Sequence, residues 1–143
     1  MRILCLSIAL MTTAPAVAQT RTITIISPGG AGSPNDVTLR LIAPELGNTL
    51  KANMVIENAP AANGTIAAQR VARANPDGNT LFFSNNGQQV LMPALRLATG
   101  QELLYNPRTA FQPIMLVMET PFVISVSSKL TITSFAELVR AAK

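Results

Sequence analysis

A β-branched run, Thr22-Ile23-Thr24-Ile25-Ile26, stops at Ser27-Pro28-Gly29-Gly30-Ala31-Gly32-Ser33-Pro34-Asn35-Asp36. Val37, Leu39, Leu41 and Ile42 then return around Arg40 and Glu45, with helical rather than alternating spacing. A strand, a glycine-rich loop and a helix start, in that order, suit one kind of chemistry: holding an anion on the main chain. Glycine has no Cβ, so its backbone N–H can approach a ligand. The helix that follows aims its partial positive charge at the same spot. A carboxylate or a phosphate is the simplest guest. The same residues also serve a plain purpose, in which Gly and Pro turn the chain and Asn35 or Asp36 caps the helix. Asp36 suits the helix dipole, but an exposed carboxylate there would repel an anion. It therefore orders the loop or meets an amine on the ligand.

A second polar stretch, Ser84-Asn85-Asn86-Gly87-Gln88-Gln89, follows the short apolar run Thr80-Leu81-Phe82-Phe83. Alone it reads as a solvated turn. Catalytic alternatives find little support. The chain has no His, and Cys5 is its one thiol, so the commonest acid–base group is missing. Ser33 and Ser84 have no evident base. Asp36, Glu45, Glu57, Asp77, Glu102, Glu119 and Glu137 show no metal-ligand spacing. An enzyme is not expected, nor is a metal or cofactor. A dinucleotide site is the nearest rival, with Gly30-x-Gly32 after a strand and Glu57 where a ribose-binding acid would stand. Asn35 occupies the place of the third glycine, however, and no Gly-Lys-Ser/Thr follows to make a phosphate-binding P-loop. Net charge is +4, but Arg40, Lys51, Arg70, Arg73, Arg96, Arg108, Lys129 and Arg140 are scattered and aromatics are few. Nucleic-acid binding, which needs a basic face, is not expected.

The elements that must position these residues begin after a targeting segment. Arg2, an apolar run from Ile3 to Met11, and Ala16-Val17-Ala18 form a cleavable export signal over 1–18, with Gln19 as the new N-terminus. This reading is preferred to a buried N-terminal helix. Cys5 goes with the signal and is not at a cleavage junction, so a lipid anchor is not expected. No later apolar run is long enough for a membrane helix. Hydrophobic residues make up 48% of the chain, enough to bury a core. A helix from Asp36 to about Leu50 is expected, with Val37, Leu39, Leu41, Ile42 and Leu46 as its apolar residues. Pro44 is a possible kink, and Gly47-Asn48 a candidate end. Met54–Asn58 reads as a strand and Ala59–Gly64 as a loop. Thr65–Ala74 reads as a helix with Ile66, Ala67 and Val71 inward and Arg70 and Arg73 outward. Asn75-Pro76-Asp77-Gly78 is a turn, and Thr80–Phe83 a third strand. Val90–Leu97 reads as helix, Ile114–Met118 and Phe122–Val126 as strands, and Phe135–Lys143 as a helix capped by Ser134 with Glu137 completing a capping box. Strand, helix, strand, helix, strand implies a parallel sheet. In such sheets the loops after the C-terminal strand ends share one edge, where ligands bind. The loops after the first and third strands should thus face one crevice, which favours the functional reading of both.

At these residues the chain resembles the periplasmic solute-binding receptors of tripartite tricarboxylate transporters, the Bug-type receptors. The resemblance rests on Ala31-Gly32-Ser33-Pro34-Asn35-Asp36 with Arg40 and Leu41, on Val55-Ile56-Glu57-Asn58 with Pro60 and Gly64, and on Asn75-Pro76-Asp77-Gly78 with Thr80-Leu81. It continues through Tyr105-Asn106-Pro107, Phe111-Gln112-Pro113-Ile114 and Ser134-Phe135-Ala136-Glu137-Leu138, in the family's order from about Arg21 onward. It implies an α/β, periplasmic binding protein type II-like fold, here incomplete. Residues 19–112 would form the first lobe, and 113–143 hinge strands and the start of a truncated second lobe. It implies a small carboxylate ligand held by Ala31, Gly32, Ser33, Pro34 and Asp36 and by Ser84, Asn85, Asn86, Gly87 and Gln88. It also implies delivery of that ligand to a membrane transporter from the periplasm. Ser33 departs from the family pattern, which carries a second glycine there, and this narrows or reshapes the expected pocket. The family's second-lobe ligand loop is also missing. A non-binding remnant of such a receptor is therefore the alternative, and an exposed sheet edge and apolar surface should invite aggregation.

Overall fold

The computed structural model describes residues 20–142. The export signal, its cleavage after Ala18, and Cys5 lie outside the described residues, as does Lys143. Two compact units divide at Gln112 and Pro113.

In the first unit three parallel strands form one sheet in the order β2-β1-β3. The strands are β1 Arg21–Ser27, β2 Ala52–Asn58 and β3 Thr80–Phe82. β1 is central, and its register sets Ile25 opposite both Ile56 and Leu81. Buried on both faces, β1 reads as a near-continuous apolar run, with Ile23, Ile25 and Ile26 all almost fully enclosed. Helix α1 spans Pro34–Leu50 and turns Asp36, Leu39 and Ala43 inward. This spacing of three and four marks a single buried face. Val37 and Leu41, expected among its apolar contacts, lie off that face and are exposed. Pro44 neither breaks nor ends α1. It sits on the solvent side, where water can take up the carbonyl its missing N–H leaves free. The helix also runs past Gly47-Asn48 to a left-handed cap at Lys51.

A short 3-10 turn, Ala61–Gly64, leads into α2, Thr65–Ala72. Ala67 and Ala68 are completely buried, because two methyl-sized side chains let the helix lie close on the sheet. Ile66, expected inward, is exposed beside them, and Arg70 on the outer face pairs with Glu57 of β2. The turn before β3 is tied back to β1, since Thr24 N–H donates to the Asn79 carbonyl at 2.8 Å. After β3 the chain does not stay in open loop through Gln89. Residues Gly87–Leu91 form one π-helical turn, closed by Met92 N–H onto the Gly87 carbonyl, before α3, Met92–Ala98. Pro93 cannot donate to Gln89 four residues back, which favours a widened turn there. An irregular segment follows and is anchored on β3 by rings, with Phe111 5.4 Å from Phe82 and 5.7 Å from Tyr105.

In the second unit, Ile114–Met118 and Phe122–Val126 carry no strand pairing, contrary to expectation. A β-strand is held by its ladder, and neither segment is assigned to one among the described residues. Helix α4, Phe135–Ala141, is capped as expected: Ser134 Oγ accepts from Glu137 N–H at 3.3 Å. The reciprocal carboxylate bond falls one residue early, with Glu137 Oε2 accepting from Thr133 N–H at 2.7 Å.

Candidate ligand-binding site

The sheet order puts the C-terminal ends of β1 and β3 side by side, and Phe83 N–H donates to the Ile26 carbonyl at 3.0 Å. α1 leaves β1 toward β2, while β3 lies on the other side, so this is the switch point of the sheet. Both expected site segments, 31–36 and 84–88, follow these adjacent ends. Asn58, at the end of β2, reaches the first of them and donates to the Gly29 carbonyl at 3.0 Å.

The first loop is built from within. Ser33 N–H donates to the Gly30 carbonyl at 3.1 Å, and Ser33 Oγ caps α1 by accepting from Asp36 N–H at 3.3 Å. Ser33 is thus occupied with starting the helix. Gly32 sits at φ +76, a left-handed conformation that only glycine adopts without strain. That conformation directs its N–H onto Asp36 Oδ2 at 2.8 Å. Arg40 Nε, one helical turn on, donates to the same oxygen at 3.1 Å. Asp36 is 3% exposed, so it is not the exposed carboxylate that would repel an anion. The Arg40 hydrogen bond, then the Gly32 amide, hold its pKa down to about 2. Asn58 adds a weaker pull without closing a hydrogen bond to Oδ1, which has no partner among the described residues. Asp36 orders the loop, one of the two roles open to it from sequence.

What the loop leaves free is main chain. The amides of Gly30, Ala31 and Asn35 find no acceptor among the described residues. A Cβ added at Gly30 would meet nothing within 4 Å. Ala31, Gly32 and Pro34 are exposed around these amides. Gly30, Asn35 and Asn58 were not singled out as site residues from sequence. Gly30 and Asn35 stand within the glycine-rich stretch, whereas nothing in the chain marks Asn58 as reaching 29 residues back.

The second segment is more engaged. Ser84 Oγ accepts from Gln89 Nε2 at 3.0 Å, and Asn85 Oδ1 accepts from Gly87 N–H at 2.8 Å. Gln88 is 5% exposed and donates through Nε2 to the Asn63 carbonyl at 2.7 Å. Of these residues, Asn85 and Asn86 present exposed surface. A groove of about 880 Å³ lies elsewhere, along α1 and the outer edge of β2, lined by Arg40, Ala43, Pro44, Gly47, Lys51, Met54 and others. It contains no residue of 31–36 or 84–88.

The sequence pattern of the tripartite tricarboxylate transporter family receptor matches residues 38–143. The chain belongs to that family. Its relatives include a UPF0065 protein of Bordetella bronchiseptica, 38% identical over 131 residues, covering 90% of this chain and 38% of the relative. Among solved structures, a Rhodopseudomonas palustris protein with adipate superimposes with a TM-score of 0.65 at 31% identity, over 86% of this chain and 40% of that one. MatC from the same organism, with bound malate, gives 0.60 at 39% identity, over 68% and 32%. The chain therefore spans well under half the length of the relatives it matches. The fold is that of part of a periplasmic binding protein, and the family is one of receptors rather than enzymes.

Proposed function

We propose that this chain supplies the carboxylate-binding loops of a periplasmic receptor that serves a tripartite tricarboxylate-type transporter. The observation that carries the reading is that the amides of Gly30, Ala31 and Asn35 have no acceptor among the described residues. They belong to the loop and first turn that lead from β1 into a 17-residue helix, beside the switch point of the sheet. Such amides, reinforced by the helix dipole, offer a carboxylate two or three hydrogen bonds without a cationic side chain. Ala31, Gly32, Ser33, Pro34 and Asp36 form this cradle, with Ser33 and Asp36 shaping it from beneath. Ser84, Asn85, Asn86, Gly87 and Gln88 form the facing wall. Malate and adipate, the ligands in two similar structures, define the class: a short chain carrying two carboxylates. Export by a signal cut after Ala18 and delivery to membrane subunits complete the role, with residues 113–143 opening the second lobe.

Calorimetric titration of the exported chain with malate and adipate tests this. Binding by the native chain and its loss in Gly30→Val, whose side chain fills the open approach at no cost in φ, supports the receptor reading. Gly32→Val is a poorer probe, because its φ of +76 strains any side chain. If neither acid nor a wider panel of di- and tricarboxylates binds, the non-binding remnant is the correct reading.

A further inference from the structure

Three turns that follow three different strands meet on one side chain. Gln88, 5% exposed, donates through Nε2 to the Asn63 carbonyl at 2.7 Å, and its Oε1 accepts from Asn85 N–H at 3.3 Å. Its own carbonyl accepts from the Tyr105 hydroxyl at 2.6 Å. The third turn is held by shape. A Cβ on Gly64 would stand 2.3 Å from Pro28 Cβ and 2.7 Å from Gln88 Nε2, so Pro28, Gly64 and Gln88 close on one another with no space between. Ala62, Asn63 and Gly64 are all left-handed, at φ 50, 53 and 77. A run of this kind persists only where surrounding contacts impose it, and the Gln88 bond to the Asn63 carbonyl is one such contact.

We propose that Gln88 is a positioning residue of the ligand site, not one of its ligand contacts, and that Tyr105 sets Gln88 in place. This rests on the receptor reading above and reassigns one residue within it. Both side-chain ends of Gln88 are spent on the protein, so a ligand would have to break a buried bond to use them. By fixing Asn63 and Asn85 together, Gln88 sets the separation between the turn after β2, which packs against Pro28, and the turn after β3. Tyr105 lies in the irregular segment that leads to Gln112. Its hydroxyl makes the state of that segment felt at the site through a single bond.

Tyr105→Phe removes that bond and keeps the ring against Phe111. Gln88→Glu keeps an acceptor for Asn85 but sets a carboxylate against the Asn63 carbonyl. In the full chain, Tyr105→Phe is expected to weaken malate and adipate binding about fivefold, the worth of one neutral hydrogen bond. Gln88→Glu is expected to weaken it more. In both variants, hydrogen exchange should quicken at residues 63–66 and 85–89 while the β1 amides keep their native rates. Unchanged affinity and exchange in Tyr105→Phe would overturn the proposal. So would faster exchange spread evenly into β1, which would mean a general loss of stability. If the native chain binds neither acid, the receptor reading fails, and the exchange pattern alone decides whether Gln88 ties the turns.

Discussion

Asp36 shows how one carboxylate can sit beside the proposed anion cradle without spoiling it. Its charge is met on Oδ2 by Gly32 N–H and Arg40, and the side chain is buried. Its pKa is about 2 in the folded chain, below the ordinary carboxylate value it returns to on unfolding. The sign follows from linkage: the stabilisation is fully present above the unfolded value and is lost as pH falls through about 2. Melting temperature in acid should therefore fall more steeply for the native chain than for Asp36→Asn, whose amide does not titrate there. Equal slopes would show that Asp36 carries no such load. Gly32→Ala tests the backbone at the same place. Its left-handed φ should cost about 1 kcal/mol on chemical denaturation, with no clash to add, since nothing lies within 4 Å of the new methyl.

Among the elements, α1 does the most for the site and carries the clearest defect. Pro44 interrupts its hydrogen bonding in mid-helix yet faces water. Pro44→Ala restores the missing donor and should raise stability by about 1 to 3 kcal/mol, measured by urea unfolding. A loss of stability would mean that the ring makes contacts the helix needs. The start of α2 behaves oppositely. Gly64→Ala drives a methyl into Pro28 and Gln88 at a left-handed φ, and a loss of about 2 to 4 kcal/mol is expected. The strands were legible because β-branched and apolar runs end at strong turn residues, as at Ser27-Pro28-Gly29 and Asn75-Pro76-Asp77-Gly78. The inward faces of α1 and α2 were less so. Val37, Leu41 and Ile66 are as apolar as Leu39, and only the angle at which each helix meets the sheet separates them.

Across the whole molecule the contrast is between the described parts of its two units. The first encloses Ile23, Ile25, Ile26 and Leu39. In the second, Ile114, Met115 and Leu116 are at least 70% exposed, and Phe122, Val123 and Ile124 at least 73%. Six large apolar side chains so exposed favour association. The isolated chain should bind a hydrophobic dye and self-associate on size exclusion, and Phe122→Ser with Ile124→Ser should diminish both. A monodisperse chain with no dye binding would show that these residues are covered in solution. The sequence pattern marked both segments as strands, but a ladder needs a neighbour, and no run of residues can state where its neighbour is.

The sequence by itself determined the order of strands and helices in the first unit, the parallel sheet they imply, and the glycine-rich turn at the head of α1. These follow from local preferences: β-branching, turn residues and the lack of a Cβ. It also carried the family resemblance through to the Ser134 cap. Only the tertiary structure decided which polar groups remain available to a ligand. Asp36, Ser33, Ser84 and Gln88 have the chemistry of binding residues in sequence. Folding commits their side chains to the protein, those of Asp36, Ser33 and Ser84 through bonds within their own turns and that of Gln88 through a bond to Asn63 in another loop. Among the described residues it leaves the amides of Gly30, Ala31 and Asn35 without an acceptor, because which of these bonds close depends on the geometry the sheet imposes on its loops.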